Sequence, residues 1–207
     1  MSKPRIAVVG IGRLGSFHTN LVNCGDLFDL IAIVEPVEAA RHVATEKFAV
    51  RGVADISEII DDIDCAIIAT PTLYHFEVAQ TLLNAGKHLL IEKPITVDIA
   101  QADELISLAE YNNLVLQVGH VERFNPAFSS VAKHVATPIF IDSVRTSNYS
   151  FRSTDIGVTL DLMIHDIDLI LSLVDSPIAA IDAIGSVVIG PHEDIANARL
   201  TFKNGAF

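Results

Sequence analysis

Short apolar runs alternate with amphipathic stretches along the first 120 residues. Ile6–Val9, Leu30–Val34, Cys65–Ala69, His88–Ile91 and Val115–Val118 are mostly apolar and do not alternate strictly, and a shorter run lies near Gly52–Val53. Strands of this kind belong to a parallel sheet covered on both faces. Between them, Leu14–Asn23, Val37–Lys47, Ile56–Asp61, His75–Ala85 and Ile99–Asn112 have helical patterning, and Gly86 stands where a helix-terminating glycine belongs. The βαβα rhythm predicts a doubly wound Rossmann sheet.

After Gly119 the rhythm changes. Asn125-Pro126 opens a predicted helix through Ala136, followed by a strand over Ile139–Thr146 and a polar, aromatic stretch over Ser147–Asp155. A long apolar helix over Val158–Val174 and strands near Ala180–Ile189 and Ala196–Phe202 complete the pattern. The expected fold is therefore α/β: a Rossmann domain over 1–121, then over 122–207 an incomplete α+β domain with a largely antiparallel open sheet. Asn204-Gly205 predicts a type I′ hairpin turn and a returning strand, yet only Ala206 and Phe207 follow. The second domain thus reads as cut off inside its sheet, with cofactor binding expected to persist and catalysis to be impaired.

Composition narrows the function. Lys plus Arg number 14 against 26 Asp plus Glu, a net charge of −12, which offers no electrostatic footprint for nucleic acid or an anionic membrane. Mean hydropathy is +0.43, so a sizeable core is expected rather than disorder. No run approaches the roughly 18 apolar residues of a membrane span, and the first strand begins by Arg5 or Ile6, leaving no room for a signal peptide. Of the two cysteines, Cys65 falls inside a predicted core strand and reads as a buried, reduced thiol. These features predict a cytoplasmic protein.

Four motifs carry candidate chemistry. Gly10-Ile-Gly12-Arg13-Leu14-Gly15 follows an apolar strand and opens a helix, the setting in which glycines let a pyrophosphate approach a helix N-terminus. Glu35 ends the next strand twenty residues after Gly15, where a carboxylate grips the adenosine ribose and repels a 2′-phosphate. Residues 36–38 bring no cation, so NAD is favoured over NADP. Glu92-Lys93-Pro94 ends the strand His88–Ile91. Proline stops the ladder and holds Lys93 at the carboxyl edge, where α/β sheets bind ligands. Thr70, Pro71 and His75 lie on the loop after another strand, again on the cofactor side, although His75 also reads as an ordinary helix-start residue.

The fourth motif lies on the apolar helix. Asp161 and His165 are four residues apart and share a face, which Asp168 and Ser172 continue, while Asp166 lies off it as a solvated or capping carboxylate. On a helix otherwise apolar all round, that stripe faces water, a partner or an active site. Imidazole is the usual base near neutral pH, and a carboxylate one turn away can orient it; a helix-stabilising Asp–His pair is the plainer alternative. Arg123, Arg145 and Arg152 could bind anions, but ion pairing explains each more simply. No metal site is expected.

Taken together, Gly10-x-Gly-x-x-Gly15, Thr70-Pro71…His75, Glu92-Lys93-Pro94 and Asp161-x-x-x-His165 resemble the glucose–fructose oxidoreductase / inositol dehydrogenase / rhizopine-catabolism (Gfo/Idh/MocA) family. The resemblance spans essentially the whole chain and implies NAD(P)-dependent oxidation or reduction at a sugar or polyol carbon. It implies Lys93, Asp161 and His165 as the catalytic group, with Lys93 or His165 as the base, and Glu92 beside the nicotinamide ribose. Residues 119–126 (GHVERFNP), 165–169 (HDIDL) and 194–200 (DIANARL) are similar to the branch that oxidises C3 of UDP-N-acetylglucosamine. A sugar or nucleotide-sugar substrate and a homo-oligomer built through the C-terminal sheet are implied as partners. Family members normally continue beyond this length. Two other readings use the same residues: an NAD-binding regulatory protein, against which the joint presence of Lys93, Asp161 and His165 weighs, and a remnant that binds NAD without catalysis.

Overall fold

The computed structural model describes residues 2–148 and 156–207, so Arg152 and most of the Ser147–Asp155 stretch lie outside the described residues. The chain forms two compact units, 1–119 and 120–207.

The first unit alternates β1 (Arg5–Val9), α1 (Arg13–Cys24), β2 (Asp29–Val34), α2 (Glu38–Phe48), β3 (Arg51–Val53), β4 (Cys65–Ile68), α3 (His75–Asn84), β5 (His88–Ile91), α4 (Ile99–Tyr111) and β6 (Leu116–Val118). Its six strands are all parallel in the order β3-β2-β1-β4-β5-β6, the dinucleotide-binding arrangement with its switch point between β1 and β4. The core is made by the unbroken apolar strands, among them Ala7, Val9, Ala32, Val34, Ala66, Ile68 and Ile91, with Leu82, Leu83 and Leu105 from α3 and α4. Residues 56–61, expected as a helix, instead form two 3₁₀ turns, Ile56–Glu58 and Ile60–Asp62. Asp55 and Glu58 make a capping box, but too few residues follow it to propagate a helix.

The ladder runs one residue past the strands. The N–H groups of Gly10, Glu35, Ala69, Glu92 and Gly119 donate to the carbonyls of Val34, Val53, Val9, Ile68 and Ile91, at 2.8, 3.0, 2.8, 2.9 and 2.8 Å. Five residues that close strands therefore stand in one row along the carboxyl edge.

Cys65 is half-buried in β4, and burial first, then the Asp64 carboxylate, pushes its thiol up to about 11. Cys24 is exposed. A maleimide at pH 8 should therefore label Cys24 more than about tenfold faster than Cys65, as peptide mapping would show; equal rates would mean that β4 opens readily.

The second unit contains α5 (Pro126–Ala132), α6 (Ile164–Leu173) and the antiparallel pair β7 (Ile178–Ser186) and β8 (Ile195–Phe202). Several sequence expectations change here. The helix from Asn125 is capped by the Asn125 side chain but ends at Ala132, ahead of the β-branched Val135 and Thr137 and of Pro138, which disfavour helix. Residues 139–146 are not a strand. Phe207 is what meets them, its carbonyl accepting from Ile141 N–H and its N–H donating to Ile139, too little for a ladder. β7 stops at Ser186 because the Asp194 carboxylate takes the N–H groups of Val188, Ile189 and Gly190. The turn after β8 is not type I′: among Lys203, Asn204 and Gly205, only Gly205 has a positive φ, +89°. The bonds Gly205 N–H to Phe202 C=O and Phe202 N–H to Ala206 C=O make it a three-residue loop with a bulge. Among the described residues no helix is long and apolar enough to cross a membrane.

Candidate functional site

The first unit brings most of the expected residues to its carboxyl edge. Gly10 has φ +87°, and a Cβ there would lie 2.8 Å from both Ala69 O and Thr70 N, so the switch point itself requires glycine. Gly15 is packed harder still: its Cβ would come within 1.8 Å of the Gly10 carbonyl. A Cβ on Gly12, by contrast, would have no atom within 4 Å. Two of the glycines thus build the turn, and the third leaves open space above it. Gly12 is the N-cap of α1 and no side chain caps the helix, so the N–H groups of its first turn, at Arg13 and Leu14, are available to an anion. Both of these residues are exposed.

Glu35 lies across the same turn, its carboxylate accepting from Ile11 N–H at 3.2 Å and Val37 N–H at 3.0 Å. A cation stands beside it after all. Arg41, on the first turn of α2, reaches back to the Glu35 and Pro36 carbonyls at 2.5 and 3.1 Å, a contact that reading residues 36–38 alone misses.

On the loop after β4, the Thr70 hydroxyl is buried without a hydrogen-bond partner among the described residues, and exposed Pro71 starts a 3₁₀ turn, Thr72–Tyr74. His75 is 1% exposed. Its Nδ1 lies 2.9 Å from the Pro94 carbonyl and its Nε2 3.0 Å from the Thr70 carbonyl. The ring thus joins two loops, and both nitrogens are occupied by main chain rather than held out toward a ligand.

Glu92 is 5% exposed, and its Oε1 lies 2.6 Å from His18 Nε2. Its Oε2 is 3.3 Å from the Lys93 N–H. The space over Gly119 is filled by this carboxylate, whose nearest oxygen is 3.0 Å from where a Cβ would sit. Lys93 is half-buried. Sequence reasoning missed His18, because its partner lies 74 residues away.

Asp161 and His165 belong to the second unit, and both are half-buried. The long helix is not uniform: Thr159–Met163 is a π-helical turn and the α-helix begins at Ile164. Asp161 lies within that wide turn and His165 just beyond it. Such turns recur at functional sites. Glu193 holds the start of the turn, its carbonyl accepting from Val158 N–H at 2.7 Å and its carboxylate from Thr159 N–H at 3.4 Å.

Two carboxylates on this helix serve other partners. Asp168, expected to extend the Asp161–His165 stripe, is buried and accepts from Nε and Nη2 of Arg123, at 2.7 and 2.5 Å. Asp166, expected to be solvated or capping, pairs with Arg145 at 2.9 and 3.0 Å. Burial pushes the Asp166 carboxyl up, but hydrogen bonds from Arg145 and Ser143 and the neighbouring charges outweigh it, and the group sits below the usual carboxylate range. Arg123 and Arg145 are therefore ion-paired. Among the described residues, no cluster of three His, Cys, Asp or Glu could hold a metal.

Two family models match the chain: an oxidoreductase family with an NAD-binding Rossmann fold over residues 4–120, and the GFO/IDH/MocA C-terminal domain over 129–207. UDP-N-acetylglucosamine 3-dehydrogenase of Acidithiobacillus ferrooxidans is 36% identical over 206 residues, covering 97% of this chain and 64% of that protein. The NAD(+)-linked scyllo-inositol 2-dehydrogenase of Bacillus subtilis is 28% identical over 221 residues, covering 98% and 65%. The crystal structure of the Acidithiobacillus enzyme superposes with a TM-score of 0.92 at 33% identity, over all of this chain and 68% of that one. The chain thus spans a little under two thirds of the length of these two relatives.

Proposed function

The chain belongs to the Gfo/Idh/MocA family of oxidoreductases, and on that premise we propose that it is an NAD-dependent dehydrogenase oxidising a sugar-ring hydroxyl, at C3 of a UDP-N-acetyl-hexosamine. What supports this reading is the carboxyl edge of the first unit, where Gly10, Glu35, Ala69 and Glu92 stand along one row and Thr70 and Lys93 follow directly in the chain. The dinucleotide fits that edge: Gly12 leaves room for a pyrophosphate, the uncapped α1 terminus offers N–H donors, and Glu35 ends β2 where a ribose is gripped. When bound, NAD supplies the hydride acceptor.

The chain's own residues do the rest. Lys93 hydrogen-bonds the substrate oxygen and stabilises the charge that develops as the hydroxyl loses its proton. Lys93 or His165 takes that proton, while Asp161 orients and charge-balances its neighbours. Glu92 is assigned to the nicotinamide ribose, and Thr70 and Pro71 to the cofactor-side loop. The proposal of a homo-oligomer through the C-terminal sheet is supported by the exposed Ile181, Ile184 and Ile195 on β7 and β8.

The substrate is chosen on the 36% identity to a UDP-N-acetylglucosamine 3-dehydrogenase, against 28% to an inositol dehydrogenase. The test is NADH formation, followed by absorbance, from UDP-N-acetylglucosamine, other UDP-sugars, scyllo-inositol and myo-inositol. The nucleotide sugar should exceed the inositols by about 100-fold in kcat/KM. A preference for inositol would move the assignment to a polyol.

Glu35 gives a second expected result. Glu35→Ala should weaken NAD binding about 30-fold and bring NADP to within about threefold of NAD, since Arg41 is then left to meet a 2′-phosphate. Fluorescence titration with NADH and NADPH measures both. Equal affinities in the unmodified chain would remove Glu35 from this role.

A further inference from the structure

Lys93 lies between two residues that are each tied to a histidine on a different helix. On one side, Glu92 is held through its main-chain bond to Ile68 and through its carboxylate, 2.6 Å from His18 Nε2. On the other, the Pro94 carbonyl lies 2.9 Å from Nδ1 of the fully buried His75, whose Nε2 reaches the Thr70 carbonyl. We infer that His18 and His75 are positioning residues for the redox step, bracketing Glu92-Lys93-Pro94 so that the lysine amine is presented from a fixed backbone. This rests on the reading of Lys93 as the group that meets the substrate oxygen.

The energetics favour such a bracket. A carboxylate buried to 5% exposure is costly unless it is hydrogen-bonded. For Glu92 the imidazole of His18 supplies that bond, and the carboxylate itself fills the space over Gly119. With Glu92 pinned on one side and the Pro94 carbonyl on the other, little backbone freedom remains to Lys93. A lysine otherwise has four rotatable side-chain bonds to order, and a misplacement of about 1 Å can cost about 100-fold in rate. His18 also lies on α1, six residues after Gly12. The helix whose N-terminus is offered to the pyrophosphate is therefore the one that fixes Glu92.

Two measurements on the full chain test this. The first is the acylation rate of Lys93 by a water-soluble amine reagent, read by peptide mass mapping against exposed Lys133. The second is the split of NAD-dependent turnover into kcat and KM. His18→Leu should raise Lys93 labelling about fivefold as the segment loosens and lower kcat about 30-fold, with KM for NAD within about threefold. His18→Gln, which restores a donor near the Nε2 position, should return both to within about threefold of the parent. His75→Leu, which removes both ring nitrogens, should show the same kcat-weighted loss. Parent-like labelling and kcat in His18→Leu would overturn the inference. So would losses that track a lowered thermal midpoint and are not recovered by His18→Gln. Lys93→Met separates the two levels: if it leaves turnover intact, the role given to Lys93 fails, while the labelling arm, which needs no turnover, still decides whether the histidines hold the segment.

Discussion

Lys93→Met is expected to lower kcat by about 1,000-fold while changing NAD affinity by less than about threefold. Methionine keeps the unbranched stem of lysine and removes the ammonium, so the half-buried site loses its charge and donors with little change in volume. The main-chain tie at this point belongs to Glu92, whose N–H bonds the Ile68 carbonyl, and it survives the change. The loss should therefore fall on the step in which negative charge builds on the substrate oxygen, and not on cofactor docking. Stopped-flow hydride transfer and NADH fluorescence titration measure the two separately. An equal fall in NAD affinity would make Lys93 a cofactor ligand, and an unchanged kcat would leave the chemistry to His165 alone.

The glycine turn gives the other large effect, as a contrast between two substitutions three residues apart. Gly15→Ala puts a methyl 1.8 Å from the Gly10 carbonyl and 2.8 Å from its carbon. Both are backbone atoms at the switch point and neither can move aside cheaply. The substitution should cost about 3 kcal/mol of stability and, by lifting α1 off the turn, at least about 100-fold in NAD affinity. Gly12→Ala meets no protein atom within 4 Å, and Gly12 has an ordinary extended φ of −66°. Its stability should change by less than about 1 kcal/mol, yet NAD should bind about 100-fold more weakly, because the methyl occupies the approach of the pyrophosphate. Thermal unfolding and NADH titration of the two variants decide the matter. Normal NAD binding by Gly12→Ala would mean that the open space is not the cofactor's cradle.

The first unit was largely legible in the sequence because its strands are buried on both faces, so runs such as Cys65–Ile68 stand out without any neighbour being known. The glycine turn, Glu35 and Lys93 were legible for the same reason: each is defined by where it falls relative to a strand end. What escaped depends on distant chain. His18 meets Glu92 across 74 residues and Arg123 meets Asp168 across 45, and no local pattern announces either pair. Arg41 escaped because a long side chain turns back over six residues to the Glu35 carbonyl. In the second unit, 139–146 has the β-branched, apolar composition of a strand, but a ladder needs a partner, and Phe207 is what meets it. The π turn at Thr159–Met163 was hidden because side-chain spacing alone does not separate it from an α-helix.

The row of N–H bonds at the carboxyl edge makes the placement of these residues depend on whole-number counting. Gly10, Glu35, Ala69, Glu92 and Gly119 are aligned because each strand delivers its last residue in step with its neighbours. Side chains on a strand point to opposite faces in turn, so one residue inserted into or removed from β5 would reverse the side on which Glu92 emerges. Its carboxylate would leave His18 and Gly119, and Lys93 would be carried out of line with the glycine turn, with every motif in the sequence still intact. Point substitutions can be absorbed along these strands wherever volume is kept; a change of frame cannot.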